Sequence, residues 1–266
     1  MWLPPFRGRV NSSYDHPRFL EAVTNCENLL NGPDCEILHE GRNRVGVVSL
    51  PRKDGTRADI VIKEFRARGA NKLKSILLPG KASKAWTGAH RLLEREIGTP
   101  FPVAYLEERR RFSFRRSYYL SERIEGVEEV RSLFRSLPPQ ELESLLLALA
   151  RCLSNCHQRC VLHRDLSDGN ILVRKNNQSH YQFFLIDTNR IRVKRHINLL
   201  SRVKNLIRLG VPPWAQRFFL SRYLGNHSVK TFIWLWYRLH KLCYSWYIEM
   251  KKKLRLRQIA RRLRIQ

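Results

Sequence analysis

The rest of this chain is organised around the sequence HRDLSDGN, which occupies residues His163–Asn170. It places a carboxylate, Asp165, and an amide, Asn170, five positions apart, and the apolar run Ile171–Val173 follows at once. A second apolar run, FFLI, ends in Asp187. Asp and Asn between apolar runs often do no more than form turns. The alternative interpretation is that these polar side chains belong to a functional loop next to two buried strands.

HRDLSDGNILV and FLID together resemble the catalytic loop and the metal-binding segment of the protein-kinase-like fold. Eight positions match in type and spacing, which makes a simple turn a poor explanation. The resemblance implies that Asp165 orients and deprotonates an acceptor hydroxyl, and that Asn170 and Asp187 bind Mg²⁺ or Mn²⁺. Phosphoryl transfer needs little more from a protein than positioning and charge neutralisation. His163 takes a structural role behind the loop in this pattern.

A glycine-containing turn and a strand lysine extend the resemblance toward the N-terminus. Gly41, Gly46 and Val48 match the pattern G-x-G-x-x-G-x-V, with Asn43 at the middle glycine. Glycines let a backbone approach phosphates closely, and Asn tolerates similar backbone angles. Lys63 follows Val48 by fifteen residues inside an apolar strand, where kinases place the lysine that pairs with the α- and β-phosphates of ATP.

The next elements carry the remaining nucleotide contacts that the resemblance implies. A helix is predicted from about Ser83 to Glu96, and kinases carry a mid-helix glutamate there that pairs with the lysine. No acid lies in the middle of this helix, so the role falls on Glu94, near its end. The later segment SERIEG resembles the hinge of kinases, in which adenine bonds to backbone groups, here from Glu122 to Ile124.

Composition and charge limit the partners of the chain. Its 266 residues are 43% hydrophobic, which supports a real core and excludes disorder throughout. The net charge is +27, and after Asp187 there are 20 basic residues against one acid, Glu249. Such a chain is expected to bind polyanions, whether an anionic membrane face, a phosphorylated glycolipid or nucleic acid. Nucleic acid ranks lower, because no nucleic-acid-binding module is visible.

Cysteine usage and hydropathy predict a reducing, cytoplasmic location. Six cysteines in this length do not form a disulfide scaffold, and Pro4, Pro5 and Arg7 interrupt any signal-peptide core. Cys152 and Cys156, with Cys160 after them, recur every fourth residue, which allows a metal site but favours a buried apolar helix face. No stretch reaches the ~18 uncharged apolar residues of a spanning helix.

Further motifs resemble the lipopolysaccharide core kinases, the Kdo/WaaP family. The residues that carry this resemblance are Ser83–Trp86, Gly98–Val103, Leu120–Gly126, His163–Val173, Leu185–Arg190, Asn198–Leu200, Arg202 and Tyr223. Members transfer the γ-phosphate of ATP to a hydroxyl of Kdo or heptose at the cytoplasmic face of the inner membrane. The resemblance therefore implies an anionic glycolipid acceptor and a peripheral position on an anionic membrane, and the basic last third agrees with both.

We therefore predict an α+β, protein-kinase-like two-lobe fold with an N-terminal antiparallel sheet plus helix and a reduced helical C-terminal lobe. The expected division is an extension over 1–35, a nucleotide-binding lobe over 36–124, a lobe with the catalytic loop over 125–227, and a basic aromatic tail over 228–266. That tail suits an anionic bilayer surface or packs on the domain. Alternative functions are a protein Ser/Thr kinase, another small-molecule phosphotransferase, or a membrane-associated pseudokinase.

Overall fold

The structure is a computed structural model that describes residues 2–3, 6–41, 43–66, 80–110, 113–175, 180–225 and 228–253. Its described residues divide into two compact units. Unit 1 contains residues up to His90 together with Pro100–Glu125, and unit 2 contains Arg91–Thr99 and the residues from Gly126 onward. The basic residues predicted for the tail beyond 253 lie outside the described residues.

Unit 1 is built on one antiparallel sheet. Its strands, in chain order, are β1 (Trp2–Leu3), β2 (Phe6–Val10), β3 (Glu36–Glu40), β4 (Arg44–Pro51), β5 (Arg57–Glu64), β6 (Pro102–Arg110) and β7 (Ser113–Glu122). The order across the sheet is β1-β2-β6-β7-β5-β4-β3. The turn between β4 and β5 contains Gly55 at φ 87°, a conformation that glycine adopts without steric cost.

The described residues within 1–35, which were predicted as an extension, belong to unit 1. Strand β2 pairs with β6, and Gly8 is required there because an added Cβ would lie 2.0 Å from the carbonyl oxygen of Tyr105. Helices α1 (Pro17–Thr24) and α2 (Cys26–Asn31) bury Phe19 and Leu30 against the sheet. The sequence of β2, FRGRV, alternates between the two sides of the strand, and the exposed residues are its two arginines.

The second face of the sheet is covered by helix α3 (Lys81–Leu93), whose last residues are counted with unit 2. Its alanines and Trp86 form a cluster with Phe65 and Tyr119 of the sheet. Glu107, buried on β6, accepts a hydrogen bond from the backbone N–H of Ser83 at 3.0 Å. This carboxylate satisfies an otherwise unpaired N–H in the first turn of the helix and suits its positive end.

Unit 2 is organised by helix α5 (Pro139–Gln158). Its face at 3, 4 and 7 spacing is buried, as predicted, and each fully buried leucine contributes roughly 1.5–3 kcal/mol. The other helices of this unit are α4 (Val130–Ser136), α6 (Leu199–Asn205), α7 (Gln216–Leu224) and α8 (Thr231–Lys253). Its strands are β8 (Glu128–Glu129), β9 (Val161–His163), β10 (Ile171–Lys175), β11 (Tyr181–Leu185) and β12 (Ile191–Val193). Strand β10 lies between β8 and β11, and β9 pairs with β12, all antiparallel.

Helix α8 begins the predicted tail and packs on unit 2 along one face. Ile233 and Tyr237 are buried in the core of this unit, and the indole N–H of Trp236 lies 3.3 Å from the carbonyl oxygen of Leu200. Hence packing on the domain, one of the two predicted possibilities, holds for this face of the helix. Within the described ranges, no helix has the length and apolarity to cross a bilayer.

Candidate active site

The catalytic-loop residues of unit 2 are held in one hydrogen-bond network. The amide nitrogen of Asn170 donates to the carbonyl oxygen of Asp165 at 2.8 Å, and the backbone N–H of Ile186 donates to the carbonyl oxygen of Asn170 at 3.1 Å. The structure therefore brings Asp165 and Asn170 into contact and places the strand before Asp187 beside them. Because β10 and β11 pair from Ile171 to Leu185, this arrangement follows from the two apolar runs seen in the sequence.

His163 stands behind this network. Its Nδ1 accepts from the backbone N–H of Asp165 at 3.1 Å, and its Nε2 lies 2.9 Å from the carbonyl oxygen of Ile186. The two contacts together require the neutral imidazole with its proton on Nε2. Burial lowers the pKa of His163, which favours the same neutral form. This geometry is the structural role expected from the sequence.

The amide orientation of Asn170 fits the predicted metal role. Since Nδ2 is used on Asp165, the free face of the amide presents Oδ1, an oxygen ligand of the kind that Mg²⁺ prefers. Asp187 has left-handed backbone angles, φ 58° and ψ 44°, between β11 and a 3-10 turn. This left-handed conformation is uncommon outside glycine, and Asp and Asn adopt it more readily than other residues. Within the described part of the chain, no group of three His, Cys, Asp or Glu side chains could hold a metal, including the helix with Cys152 and Cys156.

Two features of this site were missed by sequence reasoning. Arg208 forms an ion pair with Asp165 from a 3-10 turn, Leu206–Arg208, 43 residues further along the chain. The loop is also braced by a buried chain in which the Tyr223 hydroxyl bonds to His157 at 2.6 Å, His157 to Asn205 at 3.0 Å, and Asn205 to the carbonyl oxygen of His163 at 3.0 Å. No local pattern signals such long-range contacts.

In unit 1, Lys63 lies on the helix side of the sheet. Its Nζ is 5.4 Å from the ring centroid of Phe65, and its register partners are Val45 on β4 and Tyr119 on β7. Glu94, the acid assigned to Lys63 by resemblance, lies one residue beyond the end of α3, is largely exposed, and pairs with Arg95 at 3.4 Å. That location differs from the mid-helix position that the kinase pattern requires.

Val48, which the glycine pattern assigns to the nucleotide site, has its side chain on the sheet face opposite to Lys63. Val48 pairs with Ile60, and both are buried on the sheet face that carries α1 and α2, whereas Lys63 points to the other face. Val47, which pairs with Val61, is the neighbour of Val48 on β4 that lies on the face of Lys63. A one-residue offset in the glycine pattern moves a strand residue to the opposite face.

The glycines of the predicted phosphate turn have packing roles in the structure. An added Cβ at Gly46 would lie 2.5 Å from Sγ of Cys35 and 2.9 Å from Leu30, so this glycine allows α2 to pack on β4. Gly41 donates its N–H to the carbonyl oxygen of Asn43 at 3.2 Å in the turn after β3. The predicted role of these glycines in phosphate binding stays a prediction.

The predicted hinge residues differ in whether their backbone groups are already hydrogen-bonded within the protein. The N–H of Glu122 is bonded to the carbonyl oxygen of Phe101 at 2.9 Å, so this donor is not available to adenine. The side-chain carboxylate of Glu122 accepts hydrogen bonds from the Tyr14 hydroxyl at 2.5 Å and from the Arg52 guanidinium at 3.0 Å. Burial raises the pKa of Tyr14 to about 12, so the phenol stays a donor. Ile124 has no hydrogen bond within the described residues, and its backbone remains available.

The fold is similar to those of solved kinase structures. WaaP, solved in complex with acyl carrier protein, is 18% identical, with a TM-score of 0.57 over 93% of this chain and 99% of that chain. The likeness confirms the predicted protein-kinase-like fold. The Rio2 kinase from Chaetomium thermophilum, solved as an ADP/Mg²⁺–phosphoaspartate complex, is 16% identical, with a TM-score of 0.47 over 83% of this chain and 65% of that chain.

The sequence profile of the lipopolysaccharide kinase (Kdo/WaaP) family matches residues 55–217. The chain therefore belongs to the lipopolysaccharide kinase (Kdo/WaaP) family, as predicted. Kinases are ATP-dependent phosphotransferases, and they generally use a divalent metal. The family therefore agrees with the predicted enzyme class, an ATP-dependent phosphotransferase. Cell division control protein 2 homolog C of Antirrhinum majus is 48% identical over 42 residues, and this match spans 16% of the chain and 14% of that protein.

Proposed function

We propose that this protein is an ATP-dependent kinase that transfers the γ-phosphate to a hydroxyl of a lipopolysaccharide inner-core sugar, Kdo or heptose. The observation that carries the proposal is the bonded assembly of Asp165, Asn170 and the strand before Asp187, in a chain of the lipopolysaccharide kinase family. This set of side chains offers one base and two oxygen ligands, which is what phosphoryl transfer requires.

Each residue of the site has a distinct role in the proposed phosphoryl transfer. Oδ1 of Asp165 is occupied by Arg208, and Oδ2 has no hydrogen bond in the described residues, so Oδ2 accepts the proton of the sugar hydroxyl. Asn170 and Asp187 would hold Mg²⁺ or Mn²⁺, which supplies charge neutralisation at the phosphates. Lys63 binds the α- and β-phosphates. His163 keeps the loop in position and takes no part in proton transfer.

The acceptor class is supported by charge. A core sugar of lipopolysaccharide belongs to an anionic glycolipid, and the residues after Asp187 carry 20 basic side chains against a single acid. Positive potential of this kind concentrates anionic substrates near a site and speeds their association. The rival reading as a protein Ser/Thr kinase lacks comparable support, because no A-P-E segment follows Asp187.

We place the protein on the inner face of the cytoplasmic membrane through helix α8. Opposite its buried face, large apolar residues recur at 3 and 4 spacing and are 57% to 65% exposed: Phe232, Leu235, Leu239, Leu242 and Trp246. The exposed residues Lys251–Lys253 follow at the end of the helix. An apolar stripe with aromatic rings and adjacent lysines matches the interface of an anionic bilayer.

The activity is tested with γ-labelled ATP, Mg²⁺ and dephosphorylated lipopolysaccharide core glycolipid. Asp165→Ala is expected to abolish labelling of the lipid while nucleotide binding persists, and Glu143→Gln, on an exposed face of α5, serves as the control. Acyl carrier protein is added in a parallel reaction, because WaaP was solved in complex with it. Full labelling by Asp165→Ala, or bound ATP without turnover in the unaltered protein, would overturn the proposal in favour of another acceptor or a pseudokinase.

A further inference from the structure

Arg208 is the ion-pair partner of the proposed base. Its Nη1 donates to Oδ1 of Asp165 and also to the carbonyl oxygen of Arg164 at 3.2 Å. The guanidinium therefore contacts the carboxylate and the backbone of the same loop. Both side chains of the pair are about one third exposed, 34% for Arg208 and 32% for Asp165, so the carboxylate remains accessible to an acceptor.

Helix α8 holds the turn that carries Arg208. Nζ of Lys241 donates to the carbonyl oxygens of Ile207 and Leu209, at 3.4 and 2.8 Å, which are the residues on either side of Arg208. The guanidinium carbon of Arg208 lies 5.2 Å from the ring centroid of Tyr244. Burial lowers the pKa of Lys241 to about 8, opposed by Asp168 and assisted by Arg238, as expected for an ammonium enclosed by protein.

These contacts come from outside the segment that the family profile matches. Arg208 lies within residues 55–217, but Lys241 and Tyr244 lie beyond them. An arginine side chain loses rotamer entropy when it is fixed, and its contact with the ring of Tyr244 restricts the rotamers of Arg208 before any substrate binds.

We propose that Arg208 is a positioning residue for Asp165, and that helix α8 sets its position through Lys241 and Tyr244. Arg208 fixes Oδ1 of the carboxylate and thereby turns Oδ2 toward the acceptor hydroxyl. The inference rests on the proposed kinase function and adds to it a C-terminal helix that determines the efficiency of the transfer step. A catalytic group displaced by ~1 Å can cost ~100-fold in rate.

The test compares full-length variants in the labelled-ATP assay. Arg208→Gln is expected to lower kcat about 100-fold while KM for ATP and the melting temperature change little. Arg208→Lys should recover part of the rate, because it restores the charge without the planar donor arrangement. Tyr244→Phe keeps the ring and should match the unaltered protein, whereas Tyr244→Leu and Lys241→Met should each lower kcat about threefold or more. Arg222→Gln, an exposed arginine of α7, is the charge control.

The possible failures are distinguishable. A kcat for Arg208→Gln equal to or above that of the unaltered protein shows that Arg208 is dispensable or blocks the base, and overturns the inference alone. If Arg208→Gln is poorly folded, Tyr244→Leu against Tyr244→Phe decides the question. If the glycolipid is not phosphorylated, the same variants are compared in Mg²⁺-dependent ATP hydrolysis, where water replaces the hydroxyl. Absence of both activities in the unaltered protein contradicts the proposed function and this inference together.

Discussion

The backbone N–H of Asp165 donates to Nδ1 of His163 at 3.1 Å, and the opposite nitrogen of the same ring lies 2.9 Å from the carbonyl oxygen of Ile186. One imidazole thus joins the loop of the proposed base to the residue that precedes the proposed metal ligand Asp187. Because the ring is buried and neutral, it fixes distances without adding charge to the site. The proposed chemistry therefore depends on a side chain that has no chemical role of its own.

Asp187→Asn should lower phosphoryl transfer at least about 100-fold and raise the Mg²⁺ concentration needed for half-maximal rate. The substitution removes the negative charge at the metal but suits the backbone, since Asn tolerates the left-handed angles that Asp187 adopts. Rates are measured over a Mg²⁺ titration at saturating ATP. Asn189→Asp adds a carboxylate two residues away. When it is combined with Asp187→Asn, the double variant should be as slow as Asp187→Asn alone. An unchanged Mg²⁺ dependence in Asp187→Asn would show that this residue is not a metal ligand.

Val48→Ala should destabilise the protein by about 1–2.5 kcal/mol and leave KM for ATP unchanged, because the side chain is buried against helices away from Lys63. Val47→Ala should instead raise KM for ATP, since Val47 shares the face of Lys63. The free energy of unfolding in urea and the KM are measured for both variants. The opposite pattern, with KM raised only by Val48→Ala, would restore the interpretation made from the sequence pattern.

The stability of the protein should fall as the pH drops from about 7 to about 5, in part through His157. Burial lowers the pKa of His157 to about 4, assisted by the charge of Arg202 and opposed by its bond to Asn205. The unfolded chain takes up a proton near pH 6.5 and the folded chain does not, so stability is complete above that value and is lost on acidification. The loss from this one group is about 2 kcal/mol at pH 5. Urea unfolding at both pH values should show a smaller difference for His157→Gln, and an equal difference would exclude His157 as the cause.

Replacement of Leu235, Leu239 and Trp246 by serine should weaken binding to vesicles of phosphatidylcholine and phosphatidylglycerol at least about tenfold. These side chains are more than half exposed on α8 and contribute nothing to the buried face, so the fold should be retained. Binding is followed by co-sedimentation at low and high salt, with vesicles of phosphatidylcholine alone as the lipid control. Ser245→Ala on the same helix is the matched variant. Undiminished vesicle binding, or concentration-dependent dimerisation abolished by the triple change, would assign the stripe to another role.

The features of this protein that depend on local spacing could be predicted from the order of its residues. The distance from Asp165 to Asn170, the apolar runs on either side of the loop, and the helical periodicity of α5 are properties of neighbouring residues, and they predicted the kinase-like fold. The further short motifs quoted with the resemblance predicted the family. The strands over 36–40, 44–51 and 57–64 were visible for the same reason. Short-range patterns record which face of an element is buried.

Contacts between residues that are distant in the chain became known only from the folded structure. It placed Val48 on the opposite face of the sheet from Lys63, paired Arg208 with Asp165 across 43 residues, and set Lys241 and Tyr244 of α8 around that arginine. When a basic residue lies among other basic residues, the neighbouring sequence does not indicate which carboxylate it pairs with. Which charge meets which carboxylate is fixed only when the helices pack, because electrostatic contacts depend on distance in space and not along the chain.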